Sequence, residues 1–385
     1  MKIGSFSNMK STNINLILNK IHEHGSISRA RIAEETGLTA ATVTNLTAEL
    51  IKSGIIVESV QGTSTGGRRP VMLKFNNSQY AIFSVYISSR TLEVGVADFD
   101  GQILYYECTD INKQMSFESI CDIIEKQYNK CSLKLNKKII SMGVGLHGTV
   151  DYSGGNWVFA PNLEWQDIPI CSILSTKLGI PVFADNDVKL MAKGEMWYGK
   201  AKSISDFAFM YVGEGVGGAA IINRELYRGV SNAGGEVGHC TVDINGNMCS
   251  CGNRGCLQTK TNKSAMLEYA KELGIDVSTC DEIVQKAISG DKKCNKILDN
   301  EALYLSVGVN TLINVYNPKS VVINSDIKDF DKVILPRLRH LCKIGNRFGN
   351  ECDIEYCTHS EMSVIKGAAA MAVKEIFANP TNYFN

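Results

Sequence analysis

The tightest cluster of reactive side chains lies between positions 239 and 256. His239 is followed by Cys249-Ser250-Cys251-Gly252-Asn253-Arg254-Gly255-Cys256. One imidazole and three thiols complete a tetrahedral zinc site with no open position, so such a site is structural rather than catalytic. The Cys-x-Cys-Gly turn is tight enough to place two sulfurs on one ion. Free cysteines or a disulfide are the competing readings. Cys240 is a further thiol, which an extended backbone points away from His239.

Three other constellations carry chemistry. In Ala184-Asp185-Asn186-Asp187, carboxylates follow the short strand Pro181-Val182-Phe183 and open a helix running from Val188 to Trp197. That position aims a carboxylate into a cleft, or else Asn186 or Asp187 caps the helix. In Gly213-Glu214-Gly215-Val216-Gly217-Gly218, a glycine-rich turn follows Tyr211-Val212 and leads into the strand Ala219–Ile222. Such turns wrap phosphate with backbone N–H groups or make simple hairpins. Glu214 argues against phosphate, because a carboxylate repels it. In Gly234-Gly235-Glu236-Val237-Gly238-His239, the glycines admit a ligand close to the backbone. Glu236 supplies an acceptor, and His239 a donor or a metal ligand.

These residues need a scaffold. A length of 385 residues predicts two or three domains, and 44% hydrophobic with 21% charged residues is ordinary for a globular protein. No apolar stretch approaches a transmembrane helix, and the N-terminus shows no basic-then-apolar leader. The expected location is the cytoplasm, where the scattered thiols among the 13 cysteines act as small buried apolar residues. From Ala81 onward the pattern is α/β. Strands are expected at Ala81–Ile87, Thr91–Ala97, Ile103–Tyr106 and Ile139–Leu146, with a helix from Phe117 to Cys131.

The first eighty residues differ. They hold nine Lys/Arg against five Asp/Glu, while the rest holds 31 against 35, so a +4 segment sits on a −4 body. A basic segment of this kind hints at nucleic acid. Ile14, Ile17, Leu18 and Ile21 give a helix starting near Thr12 and stopping at Gly25. Ser28 caps a second helix that ends at Thr36-Gly37, and Thr39 caps a third whose buried stripe is Val43, Leu46 and Leu50. Two short helices across a Gly turn form a helix-turn-helix, whose second helix reads base edges in the major groove. Thr39, Thr42, Thr44, Asn45 and Thr47 supply short hydrogen-bonding side chains there; Asn pairs with adenine. Strands at Ile55–Val60 and Val71–Phe75 flank a glycine-rich wing carrying Arg68 and Arg69, suited to phosphate or a narrow minor groove. The plainer alternative is a small helical interaction domain.

Taken in order, Gly235-Glu236-Val237-Gly238-His239 and the cysteine run through Cys256 resemble the ROK family of repressors and sugar kinases. The likeness spans essentially the whole chain. The winged helix with Gly66-Gly67-Arg68-Arg69-Pro70 looks like the repressor branch. Ile27-Ser28-Arg29-Ala30 and Glu225-Leu226-Tyr227-Arg228-Gly229 look most like its xylose repressors. The resemblance implies an α/β, actin/hexokinase-like body of two lobes. The winged helix would occupy 1–80 and the ROK domain 81–385, with a hinge near 187–200 and a C-terminal helix returning to the first lobe. It implies that Asn162, Asn186, Asp187, Glu236 and His239 hold sugar hydroxyls. Asp187 would be the vestige of the kinases' base. His239, Cys249, Cys251 and Cys256 would hold structural zinc, the metal fixing the ring of His239.

The departures from the family pattern decide the expected activity. Where the kinases open with Asp-x-Gly-Gly-Thr, this chain reads Tyr86-Ile87-Ser88-Ser89-Arg90. Glu214 replaces a threonine of the second phosphate turn, and Asn324-Ser325-Asp326 stands where a glycine turn meets adenosine. Phosphoryl transfer rests on positioning and on neutralising phosphate charge, so a site without its cradle binds sugar and does not phosphorylate it. Gln258 stands where the family often has Glu, keeping an acceptor and adding a donor. The implied protein is a homo-oligomer, dimer or tetramer, on a palindromic DNA operator, with a small sugar as effector. The alternatives are a ROK sugar kinase with a rewired nucleotide site, or a repressor answering to a phosphosugar or another protein.

Overall fold

The structure is a computed structural model that describes residues 6–59, 70–160, 163–345, 351–380 and 383. The N-terminal helix Phe6–His24 buries Ile14, Ile17, Leu18 and Ile21. It begins before Thr12, because apolar spacing marks where burial starts rather than where the helix does. Ser28 Oγ accepts the N–H of Arg31 at 3.3 Å and caps helix Arg29–Thr36, which Gly37 closes with φ 70°. Thr39 Oγ1 accepts the N–H of Thr42 at 3.1 Å and caps helix Ala40–Lys52. Strands Ile56–Ser59 and Met72–Phe75 pair antiparallel, and Ile27–Ser28 adds a third strand on the other side of Met72–Phe75. Two residues carry no readable alternation, so that strand reads in sequence only as the lead into a helix. The wing tip with Arg68 and Arg69 lies outside the described residues.

The chain divides into two compact units, residues 1–190 with 364–385, and residues 191–363. In the first, five strands run in the order Val182–Asn186, Lys138–Leu146, Tyr80–Ile87, Thr91–Ala97, Ile103–Asp110. The last three form an antiparallel meander, and the first three are parallel. The edge strand Ile103–Asp110 runs four residues beyond the expected Tyr106. Its outer half alternates exposed and half-buried side chains, which suits a strand with only one neighbour. Helices Phe117–Lys134 and Ile170–Leu178 cover Phe83, Val85, Val94, Met142 and Val144.

The C-terminal helix Ser363–Ala378 lies on this same sheet. A Cβ on Gly143 would fall 2.1 Å from the carbonyl oxygen of Ala368, and one on Gly145 would fall 2.4 Å from Val364 Cγ1. Only glycine lets the helix approach so closely.

The winged helix is built into this unit rather than strung ahead of it. Phe75 stacks on Phe99 and on Phe377, with centroids 5.2 and 5.3 Å away. Tyr80 donates its hydroxyl to the carbonyl of Ser53 at 2.7 Å, and the N–H of Asn76 bonds the carbonyl of Ile55 at 2.7 Å.

The second unit repeats the topology of the first. Its sheet runs Glu225–Leu226, Val216–Ile222, Phe207–Val212, Ser320–Ser325, Asp353–Tyr356, again an antiparallel meander extended by two parallel strands. Helix Lys292–Tyr316, 25 residues long, supplies much of its core through Ile297, Leu298, Leu305, Val309 and Leu312. Two copies of one sheet topology in one chain are the internal signature of an actin/hexokinase-like body. Among the described residues no helix is long and apolar enough to cross a membrane.

Candidate functional site

Parallel strands end together, and in α/β sheets their carboxyl ends are where ligands bind. In the first unit the register pairs Tyr86 with Gly145 and Gly145 with Asp185. Tyr86, His147 and Asp187 are therefore delivered to one edge from three neighbouring strands. The backbone there is firmly held: the N–H of His147 bonds the carbonyl of Ile87, and Trp157 Nε1 donates to the carbonyl of His147 at 3.1 Å.

Asn186 is the helix cap that the sequence leaves as an alternative. Its Oδ1 accepts the N–H of Lys189 at 3.2 Å, and its Nδ2 donates to the carbonyl of Gly148 and to Asp187 Oδ1, both at 3.0 Å. The strand preceding it includes Asp185 and Asn186, and the helix begins at Asp187. Asp187 is 4% exposed. Its Oδ1 accepts from the N–H of Val188 at 2.9 Å and from Asn186. Its Oδ2 accepts the Tyr86 hydroxyl at 3.1 Å and faces His147 Nδ1 at 3.3 Å. His147 escaped the sequence reading. The available signal was its place at the end of a buried strand. Asn162 lies outside the described residues.

The two turns expected from the family resemblance to correspond to phosphate turns make internal bonds here. Ser88 Oγ accepts the N–H groups of Thr91 at 2.7 Å and Arg90 at 3.1 Å, so two donors of that turn are already used. In the second unit, Val216, Gly217 and Gly218 belong to the strand Val216–Ile222, which shortens the expected glycine turn to Gly213-Glu214-Gly215. Beside it, Lys263 Nζ lies 2.5 Å from Asp326 Oδ2 and 3.9 Å from Glu214 Oε1. A cation held by two carboxylates does little to attract a phosphate. Asn324 and Ser325 are buried within the strand Ser320–Ser325, and Asn324 Nδ2 donates to Ser363 Oγ at 2.9 Å.

The glycines of Gly234–His239 admit backbone, not ligand. A Cβ on Gly238 would lie 1.9 Å from the carbonyl oxygen of Val216, and one on Gly235, at φ +97°, would lie 2.5 Å from that of Gly218. This clamps the short turn Val237–His239 on the neighbouring strand. Glu236 is exposed at its start, and His239 is half-buried at its end.

His239, Cys249, Cys251 and Cys256 come together, with their ligand atoms all within 4.8 Å of one another. His239 Nδ1 lies 3.6 Å from Cys249 Sγ, and Cys251 Sγ lies 3.7 Å from Cys256 Sγ. A tetrahedral ion with sulfur at about 2.3 Å and imidazole nitrogen at about 2.05 Å sets edges of about 3.8 Å between sulfurs and about 3.6 Å between sulfur and nitrogen. The observed edges match. Burial pushes the Cys249 thiol up, but hydrogen bonds with Cys251, Gln258 and His239 outweigh it and bring it to about 6. Burial and the neighbouring Cys251 and Cys249 push Cys256 up to about 12. A divalent cation is the partner that lets three adjacent thiols ionise together. Cys240 is exposed and outside the set. Gln258 donates its amide to Cys249 Sγ at 3.1 Å, so the cluster engages one end of this side chain.

On the winged helix, Thr39, Thr44 and Asn45 are exposed and Thr42 partly so. Thr39 Oγ1 and Thr42 Oγ1 are 2.9 Å apart, and Thr44 donates to the carbonyl of Ala40 at 2.7 Å. Thr47 departs from the expected reading surface. It is fully buried, its Oγ1 accepting Arg29 Nε at 3.0 Å, because it falls within the stripe of Val43, Leu46 and Leu50. Arg29 also pairs with Glu58 at 2.9 Å, tying both helices to the sheet.

Fold and sites together define a class: a winged helix-turn-helix carried on a duplicated five-stranded body. Residues 83–375 match the ROK family, and residues 12–57 match the winged helix-turn-helix DNA-binding family. The chain belongs to the ROK family. The xylose repressor of Caldicellulosiruptor bescii is 32% identical over 98% of this chain and 99% of that protein. The crystal structure of a ROK family transcriptional regulator, a homologue of the Escherichia coli MLC protein, has a TM-score of 0.85 at 22% identity, covering 96% of this chain and 97% of that one. A ROK family glucokinase from Streptomyces griseus, in complex with glucose and AMPPNP, has a TM-score of 0.68 at 24% identity, covering 76% of this chain and 99% of that one.

Proposed function

We propose that the chain is a cytoplasmic, sugar-responsive transcriptional repressor of carbohydrate-utilisation genes, which binds xylose or a related aldose or hexose without phosphorylating it. One observation carries this reading: a winged helix-turn-helix is joined to a kinase-like body in which the turns at Ser88 and Gly213-Glu214-Gly215 are engaged by their own residues. Ser88 takes two donors of the first turn, and Glu214 and Asp326 take the lysine beside the second. Whole-length likeness to a protein named xylose repressor supports the same conclusion. The kinase alternative keeps Asp187 in its favour and lacks the cradle.

In this reading Asn162, Asn186, Asp187, Glu236, His239 and Gln258 hold the sugar. His239, Cys249, Cys251 and Cys256 would hold a structural zinc, with one ring nitrogen of His239 on the metal and the other turned to the sugar. Thr39, Thr42, Thr44 and Asn45 read the major groove, and Arg68 and Arg69 bind phosphate or minor groove. The protein is a homo-oligomer on a palindromic operator, one winged helix per half-site. Sugar must bind the two states unequally, and a 100-fold loss of operator affinity requires about 2.7 kcal/mol of discrimination.

The test is a calorimetric titration of purified protein with aldoses and N-acetylhexosamines, with and without ATP and magnesium, following ADP in the same samples. Sugar binding without ADP is expected. Sustained ADP release at ordinary kinase rates would make the chain an enzyme with a DNA-binding appendage.

A further inference from the structure

Asp187 is surrounded in a way that neither a helix cap nor a sugar site requires. An ionised carboxylate offers about four lone-pair positions. Here all are addressed: Val188 N–H and the Asn186 amide on Oδ1, the Tyr86 hydroxyl and His147 Nδ1 on Oδ2. Because a carboxylate only accepts, the His147 nitrogen facing it is the one that carries the proton. Two of these donors, Val188 and Asn186, are neighbours in sequence and come with the start of the helix. The other two arrive from separate strands and meet Asp187 only through the sheet register.

The four donors are not equivalent. The contact to His147 is the longest at 3.3 Å, and the His147 side chain is 33% exposed against 5% for that of Asp187. Tyr86 approaches from the neighbouring strand, paired beside Gly145, and its hydroxyl bonds Oδ2 at the shorter distance of 3.1 Å.

We infer that Tyr86 and His147 are positioning residues that occupy the Asp187 carboxylate, so that a sugar hydroxyl reaches Oδ2 only by taking the place of His147. The inference rests on the reading that Asp187 belongs to the sugar site. It has two consequences. Asp187 serves as a fixed acceptor, with no lone pair left free for a sugar hydroxyl until His147 leaves. His147 is the moving part, released from the carboxylate when sugar enters. Its backbone is anchored to Ile87 and Trp157, so the motion is confined to the side chain.

The experiment titrates D-xylose, D-glucose and N-acetyl-D-glucosamine into full-length wild type, Tyr86→Phe, His147→Ala and Asp187→Asn, and records the histidine side-chain 15N resonances. Removing either donor spares the sugar the exchange. Since hydrogen bonds to charged groups are worth about 1.5–3 kcal/mol, affinity should rise about tenfold or more in Y86F and H147A. The His147 resonance should move on adding sugar to wild type. Unchanged or weaker binding in both Y86F and H147A, with D187N losing affinity, would overturn the locking role alone. Undiminished binding by D187N, or no binding of any of the three sugars by wild type, would overturn the sugar-site reading beneath it.

Discussion

Phe99 is the residue through which the DNA-reading segment and the first sheet share a core, and Phe99→Ala tests what that sharing does. Phe99 is 1% exposed, stacks on Phe75 at 5.2 Å and on Phe377 at 6.4 Å, and meets Tyr80 edge-on at 6.4 Å. Phe75 ends a strand of the winged helix, and Phe377 belongs to the C-terminal helix. Truncating a buried Phe to Ala costs about 3–5 kcal/mol, and each aromatic pair lost accounts for about 0.5–1.5 kcal/mol. For a unit of this size that corresponds to about 6–20 °C in Tm. The winged helix keeps its own core of Ile17, Leu18, Ile21, Ile32 and Val43. Operator affinity should therefore persist while its response to sugar, about 5–150-fold in allosteric proteins generally, falls toward none. Scanning calorimetry reads the first effect, and fluorescence anisotropy of a labelled operator with and without sugar reads the second. A variant that melts early yet answers sugar as fully as wild type would refute this route of coupling.

Glu301 is fully buried on helix Lys292–Tyr316, its Oε1 has no hydrogen-bond partner among the described residues, and burial raises it well above the ordinary carboxylate range. A carboxyl raised in the folded state favours folding at low pH, and that contribution fades as pH climbs from the unfolded value toward the folded one. Glu301→Gln should accordingly gain on wild type between pH 5 and pH 8 by about 1 kcal/mol or more, about 2–4 °C in Tm; a difference independent of pH would contradict this. Dialysis against a strong chelator, or Cys256→Ser, should release one equivalent of zinc per chain and lower the melting temperature of the second unit. Protein that contains no zinc when purified without chelator would count against the metal. Asn45→Ala should cost about 1–3 kcal/mol of operator affinity and relax preference at one base, whereas Thr47→Ala should leave base preference intact and lower stability, since its side chain faces Arg29.

What the sequence discloses follows how local the signal is. The caps at Ser28 and Thr39 depend on residues within three positions, and both are realised. The metal-type cluster is equally legible, since His239 and its cysteines span few residues and make short-range turns. Thr47 was misassigned by its chemistry: as a short polar side chain it looked like a base reader, although its spacing from Val43 and Leu50 already places it inside. The meeting of Tyr86, His147 and Asp187 has no local signal. Its partners are 40 and 101 residues apart, joined by a register that only the folded sheet sets. The docking of the winged helix on the first sheet is hidden for the same reason, because Phe75, Phe99 and Phe377 are far apart in the chain.

In the proposed function, sugar binding in the kinase-like body controls DNA binding by the winged helix. The most direct measurement is the affinity of the full-length protein for a duplex it selects from a random pool, titrated at fixed salt with D-xylose and then with other aldoses. One of these sugars should lower operator affinity by about tenfold or more, at concentrations matching its own binding isotherm and without ATP. An operator affinity that no sugar alters, in protein that demonstrably binds sugar, would contradict it.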